Sequence, residues 1–329
     1  MSQSMIHIDN LTVGYQQKVV LKDLFLDLNA NQLTCLLGRN GSGKSTLIRS
    51  ISGVQRFLGG QVQFHNRPIS DYNQKELAKE LSLVLTDNQA PGNLTVFALV
   101  ALGRFPYTSW IGSLSKRDKE VIHWALEATG MLAFANRHMG ELSDGEKQKV
   151  MIARALAQQT DLIILDEPTA HLDSPNRLEI FHLLKELVTI SGRAILVSTH
   201  DIDTALHYAD QLWLVNHDSI IAGLPEDLVI NGSLASAFYQ KGLHFDYVQG
   251  QFRQSSIEKG VEVSIEGDVA LRHWLKNALE RKGFDVVANA STQIKCLGNL
   301  TDPTFKITGK KNTYKTIEKL LIQLINGEN

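Results

Sequence analysis

Leu33-Thr-Cys-Leu-Leu-Gly-Arg-Asn-Gly-Ser-Gly-Lys-Ser-Thr46 is the stretch from which the fold can be read. Leu33 to Leu37 is a short apolar run, the mark of a strand buried on both faces. A glycine-rich turn follows, then a helix over about Lys44 to Ile51. Gly38-Arg39-Asn40-Gly41-Ser42-Gly43-Lys44-Ser45 fits the pattern G-x-x-x-x-G-K-[ST] in full, with Thr46 next. Glycines let successive backbone N–H groups turn inward around a phosphate, and the helix N-terminus adds partial positive charge. In such a cradle Lys44 reaches the β- and γ-phosphates, and the Ser45 hydroxyl is placed to ligate Mg²⁺. The competing reading is a glycine-rich turn that binds nothing. The strand before it and the helix after it argue for the phosphate loop.

Met5 to Asp9, Leu11 to Val13 and Leu24 to Leu28 read as strands. Leu81 to Leu85, Leu162 to Leu165, Ala194 to Ser198 and Gln211 to Val215 give further strand signals. Amphipathic helices separate the later ones, which implies a parallel sheet covered on both faces. Between Asp71 and Gly140 the pattern is mainly helical, with candidates at Asn73 to Glu80, Thr95 to Gly103 and Lys116 to Thr129. This stretch reads as a helical insertion, about residues 88–157, in an α/β core. Leu162-Ile-Ile-Leu-Asp166-Glu167 sets two acids at the end of a buried strand, where ligands sit in open α/β sheets. Such acids are costly to bury unless a cation is near. Asp166 is suited to hold Mg²⁺, and Glu167 to polarise an attacking water as general base. A solvated strand end is the plain alternative, and a complete phosphate loop in the same chain weighs against it.

The chain has 329 residues, with 43% hydrophobic and 21% charged residues and a formal net charge of -2. That length favours one large domain plus a smaller one, and the charge gives no global case for a nucleic-acid partner. Cys35 and Cys296 read as two reduced, unlinked thiols. Met1 to Asn10 lacks the pattern of a signal peptide, and no segment approaches the ~20 apolar residues of a membrane span. The chain is therefore expected to stay in the cytoplasm. Composition turns polar near Gln249 to Ser256, which places a boundary between residues 1–248 and 249–329. The second part reads as a small α+β domain: strand Val261 to Ile265, helix Val269 to Arg281, strands Phe284 to Ala288, Gln293 to Leu297 and Phe305 to Ile307, and helix Tyr314 to Ile325.

Leu142-Ser-Asp-Gly-Glu146 precedes a helical run over Lys147 to Gln158. Alone, Ser143-x-x-Glu146 is a capping box. Taken in order with Tyr15, the phosphate loop, Asp166-Glu167, Ala170-His-Leu-Asp173 and Ser198-Thr-His200, it resembles the ATP-binding cassette family. The resemblance covers about Met5 to Gln249. It implies a P-loop NTPase (RecA-like) α/β core with an antiparallel β subdomain and a helical insertion, and a chemistry of ATP hydrolysis with Mg²⁺. It further implies that Tyr15 stacks on adenine, although an ordinary strand aromatic is the alternative. Ser143 and Gly145 resemble the groups that contact the γ-phosphate held by the opposite subunit of a homodimer. Asp173 resembles the acid linking the two sites, and His200 the histidine that contacts the γ-phosphate and orients Glu167. The implied partners are integral-membrane permease subunits and an extracytoplasmic substrate-binding protein, with no nucleic acid. The implied location is peripheral, on the cytoplasmic face of the inner membrane.

Two departures from the family pattern stand out. Asp144 and Glu146 replace the usual glycine and glutamine of the family's signature segment, here Leu142 to Glu146 at the start of the signature helix, adding negative charge near a phosphate. The glutamine expected near the end of strand Leu81 to Leu85 is replaced by Thr86 or Asp87, with Gln89 the nearest glutamine. Pro91 to Val96 and Leu99-Val-Ala-Leu-Gly-Arg-Phe-Pro-Tyr107 are similar to the corresponding stretch of importer ATPases for ferric siderophores, haem and vitamin B12. A helix stop with proline is the structural alternative for the Gly-Arg-Phe-Pro turn. An exporter ATPase, or a soluble cassette ATPase not linked to transport, remains the competing functional class.

Overall fold

The computed structural model describes residues 4–16, 18–85, 91–108, 113–254 and 260–326. The strand Leu33–Leu37 is buried along its whole length because it lies inside a six-stranded sheet. Across that sheet the order is Ser219–Gly223, Gln211–Asn216, Leu33–Leu37, Ala194–Thr199, Leu162–Asp166 and Leu81–Val84. Neighbours are parallel except Ser219–Gly223, which runs antiparallel to Gln211–Asn216. Parallel strands need crossovers. The helix Ser174–Ser191 joins the neighbours Leu162–Asp166 and Ala194–Thr199, and Ile202–Tyr208 leads from Ala194–Thr199 to Gln211–Asn216 on the other side of Leu33–Leu37. Leu33–Leu37, Ala194–Thr199 and Leu162–Asp166 are adjacent and parallel, so their carboxyl ends open on one side of the sheet. That adjacency gathers the phosphate loop, His200 and Glu167.

A four-stranded antiparallel sheet orders as Lys18–Asn29, Ser4–Tyr15, Gly59–Phe64 and Arg67–Pro68. Sequence reading breaks its first strand at Asn10; the structure corrects this. Ser4–Tyr15 is one strand with irregular register around Asn10, whose φ is 48°. The break is a bulge, where one extra residue bends the strand without ending it. Lys18–Asn29 is likewise continuous, beginning well before Leu24.

Three helices form the insertion: Val96–Ala101, Lys116–Ala128 and Asp144–Ala157. Thr95, Ser115 and Ser143 cap them, each side-chain oxygen accepting from a backbone N–H in the first turn. Leu99, Val100, Ile122, Leu126, Val150 and Leu156 are buried, so the insertion has its own apolar interior. Its last helix begins at Asp144 rather than Lys147, because Ser143 caps it and Asp144, Gly145 and Glu146 form the first turn.

The chain divides into two compact units, one of Met1–Tyr239 with Phe245–Gln251, the other of Gln240–His244 with Phe252–Asn329. The second unit has a sheet ordered Asp285–Val286, Glu262–Gly267, Thr292–Gly298, Pro303–Ile307 and Thr313–Tyr314. Its first three strands are parallel and its last two pairings antiparallel. Helices Val269–Glu280 and Ile317–Asn326 close a core of Val263, Leu275, Ile294, Phe305 and Leu320. Two sequence expectations are corrected here. The strand at Phe284 shrinks to Asp285–Val286, and Tyr314 pairs with Phe305 as a strand residue, so the final helix starts only at Ile317.

Candidate functional site

The phosphate loop takes the shape its glycines allow. Gly41 and Gly43 have φ of 77° and 101°, the left-handed region that side chains resist. A Cβ on Gly43 would also lie 2.5 Å from Val20 Cγ1. No side chain caps the helix Lys44–Ile51, and uncapped first-turn N–H groups are the donors with which a helix start meets an anion. Arg39, Asn40, Gly41 and Ser42 also border an adjoining cavity of about 770 Å³, whose far wall includes His217 and Ser236. Tyr15 lies outside that lining. Its hydroxyl accepts from Thr46 Oγ1 at 3.2 Å, and its ring is half-exposed at the end of its strand.

Lys44 is the charge centre of the site. Its side chain is only 4% exposed, and Nζ donates to the carbonyls of Gly38 at 2.9 Å and Arg39 at 3.1 Å. It also pairs with Glu167 Oε1 at 3.0 Å. The other carboxylate oxygen of Glu167 lies 3.3 Å from His200 Nδ1. Lys44, Glu167 and His200 thus form a continuous chain of contacts across three strand ends. Asp166 sits one residue earlier, buried, and accepts a 2.6 Å hydrogen bond from Ser198 Oγ. Ser45 and Asp166 are an oxygen-only donor pair, which fits a hard cation such as Mg²⁺.

Asp173 caps the helix Ser174–Ser191, accepting from Asn176 N at 3.1 Å. Ser143 and Gly145 stand on the signature helix. Among the described residues, no hydrogen bond or ion pair joins them to the phosphate loop. Glu146 turns back on Ser143: its Oε2 accepts from Ser143 N at 2.7 Å and from Ser143 Oγ at 2.9 Å. The Ser143 backbone bond first, then its hydroxyl, hold the Glu146 carboxyl below its ordinary range. Asp144 is exposed and paired with Lys147 at 3.1 Å. Both acids of the altered signature are therefore satisfied locally. Thr86, Asp87 and Gln89 lie outside the described residues.

Two features escaped sequence reasoning. Ser198 was legible only as part of Ser198-Thr-His200, yet it touches both acids: besides Asp166, its Oγ accepts from Glu167 N at 2.8 Å. The second is the ion pair Arg177–Asp201. Arg177 also donates to Leu172 O at 3.3 Å, and Asp201 caps the helix Ile202–Tyr208, tying the loop before Asp173 to the residue after His200. Burial alone would raise the Asp201 carboxyl; the bond from Thr204 N and the Arg177 guanidinium reverse that and hold it low. The Asp201-x-x-Thr204 spacing was the available signal.

Arg104 gives the Gly-Arg-Phe-Pro segment a structural role inside the insertion. It is buried, donating from Nε to Asp118 at 2.8 Å and from one terminal nitrogen to Ala157 O at 2.7 Å and Gln159 Oε1 at 2.9 Å. Its guanidinium lies 4.1 Å from the centre of the Tyr107 ring. A Cβ at Gly103 would fall 2.3 Å from Arg154 O. The motif is an internal brace, with only Phe105 strongly exposed.

A phosphate loop, a buried lysine and a carboxylate–histidine pair on adjacent parallel strand ends define a P-loop ATPase. The ABC transporter family model matches residues 21–170, and the iron ABC transporter C-terminal domain matches residues 259–325. An uncharacterized ABC transporter ATP-binding protein of Methanocaldococcus jannaschii is 40% identical over 249 residues, 75% of this chain and 86% of that protein. The petrobactin import ATP-binding protein of Bacillus anthracis is 37% identical, covering 69% of this chain and 84% of that one. The iron(3+)-hydroxamate import ATP-binding protein of Bacillus subtilis is 38% identical, over 65% and 79%. Among solved structures, the ADP conformation of an ABC transporter cassette superposes with TM-score 0.65 at 25% identity, over 72% of this chain and 99% of that one. A dimeric post-hydrolysis cassette bound to ADP and Pi gives 0.58 at 27% identity, over 67% and 99%. The chain belongs to the ATP-binding subunits of ABC transporters, and it is an ATPase.

Proposed function

We propose that this subunit energises import of an iron complex, a ferric siderophore or haem, through separate permease subunits and an extracytoplasmic binding protein. The observation that carries the catalytic half is the Lys44–Glu167–His200 chain. A γ-phosphate seated in the loop competes with Glu167 for the Lys44 ammonium. Released from Lys44 but still beside His200, Glu167 is placed to accept a proton from an attacking water. His200 keeps the carboxylate oriented and reaches toward the phosphate. Ser45 and Asp166 would hold Mg²⁺, which neutralises charge on the β- and γ-phosphate oxygens. Ser143 and Gly145 present a helix N-terminus suited to a phosphate, and in a homodimer they serve the partner's nucleotide. Closure then depends on ATP, and hydrolysis removes the contacts that hold it.

The matched C-terminal domain and the import relatives support iron-complex cargo over vitamin B12. Among the described residues no helix is long and apolar enough to cross a membrane. ATPase stimulation in the reconstituted complex tests the cargo. A ferric siderophore or haem, presented with the binding protein, is expected to raise the rate, whereas stimulation by cobalamin alone would overturn the assignment.

A further inference from the structure

We infer that Ser198 is a positioning residue of the hydrolytic site, the hydroxyl that fixes the metal-binding acid and the general base relative to each other. The inference rests on the roles proposed above for Asp166 and Glu167. Ser198 and Asp166 are register partners on adjacent parallel strands, so their side chains share a face of the sheet. Ser198 is fully buried. Its one hydroxyl proton goes to Asp166 Oδ1 at 2.6 Å, and its lone pair accepts from Glu167 N at 2.8 Å. A single oxygen therefore orients the carboxylate of one acid and anchors the backbone of the next.

The anchoring matters because Glu167 has φ 44°, a left-handed backbone unfavourable for a side-chain-bearing residue. Such a conformation persists only where its surroundings hold it. The Ser198 bond to Glu167 N restrains the peptide there, and with it the direction in which the carboxylate leaves the chain toward Lys44 and His200. On the other side, a hydrogen bond donated to Asp166 occupies one carboxylate oxygen and fixes the orientation of the other. Groups behind a metal ligand that orient it in this way typically matter ~10–100-fold in metal affinity or activity. Alanine keeps neither bond; threonine keeps the hydroxyl.

The test uses the full chain with Ser198→Ala, Ser198→Thr and Asp166→Asn. Mn²⁺ affinity is read by electron paramagnetic resonance in the presence of a non-hydrolysable ATP analogue, and kcat and KM for Mg-ATP are measured separately. Ser198→Ala is expected to weaken Mn²⁺ binding and lower kcat, each ~10-fold or more, with metal-free analogue binding unchanged. Ser198→Thr is expected to restore both. If alanine does not fold, Ser198→Cys, similar in volume but a weak donor, carries the same comparison. A folded alanine or cysteine variant with wild-type Mn²⁺ affinity and kcat overturns the inference, as does one that loses only thermal stability. Asp166→Asn separates the two levels: if it binds Mn²⁺ normally, the assignment of Asp166 fails. If it loses Mn²⁺ while Ser198→Ala does not, only the role of Ser198 fails.

Discussion

Lys44 carries a full charge at 4% exposure, tolerable only because two carbonyls and a carboxylate surround it. Lys44→Ala removes the cation that a phosphate would meet; hydrogen bonds to charged groups contribute about 1.5–3 kcal/mol. Nucleotide affinity by isothermal titration is therefore expected to fall roughly 10–100-fold, and unchanged affinity would contradict the phosphate-loop reading. The roles of Lys44, Asp166 and Glu167 could be argued from sequence because each stands at a fixed offset from an apolar run. That of Ser198 could not. Its significance lies in register with Asp166 on another strand, and register between parallel strands is set by packing rather than by local spacing. Cys35 and Cys296 read from sequence as reduced, unlinked thiols, and both are free and buried. Burial pushes the Cys35 thiol up to about 12 and that of Cys296 up to about 11. Thiolate is the reactive form, so neither should be alkylated by iodoacetamide in the folded protein at neutral pH. Both should label in denaturant, as mass spectrometry would register.

Elements with strong local signals matched their reading, and those without them did not. Leu33–Leu37 is apolar but for Thr34 and buried throughout, and the helix Lys116–Ala128 follows its capping Ser115, so composition and cap announced them, whereas Asp144–Ala157 was read one turn late. Gly59–Phe64 was missed because only Val62 and Phe64 are buried on a strand opened by two glycines. Ser219–Gly223 has no buried residue and exists through its pairing with Gln211–Asn216. In the insertion, Arg104 holds Asp118 and the end of the signature helix together. Breaking a buried pair by removing one partner typically costs about 3–5 kcal/mol, so Arg104→Ala should lower the unfolding free energy read from urea denaturation by a comparable amount. The Ser115 hydroxyl bond first, with Arg104 behind it, holds the Asp118 carboxyl below its ordinary value. A depressed folded pKa contributes stability that is present above the unfolded value and lost as pH falls through the folded one. The stability gap between wild type and Asp118→Asn should accordingly narrow in acid below the ordinary carboxylate range. A gap that widened there would refute the sign.

At the scale of the whole molecule, the parallel order of three central strands puts residues from distant parts of the sequence into one site, while the second unit builds a separate core. Leu275 is fully buried in that second core. Leu275→Ala should cost about 2–5 kcal/mol of that unit's stability, visible by calorimetry, with ATP affinity retained by the cassette. An equal loss of ATP affinity would show that the nucleotide site depends on that core. On the proposed mechanism, Glu167 drives hydrolysis of ATP gripped at Lys44 between two copies of the chain. The most direct test of that mechanism is phosphate release by the Glu167→Gln variant in the reconstituted transporter, with Mg-ATP-dependent dimerisation followed in parallel by light scattering. The expected result is a stable ATP-bound dimer whose turnover falls by at least ~100-fold, as loss of a general base requires. Near wild-type phosphate release, or a variant that never dimerises with Mg-ATP, would contradict it.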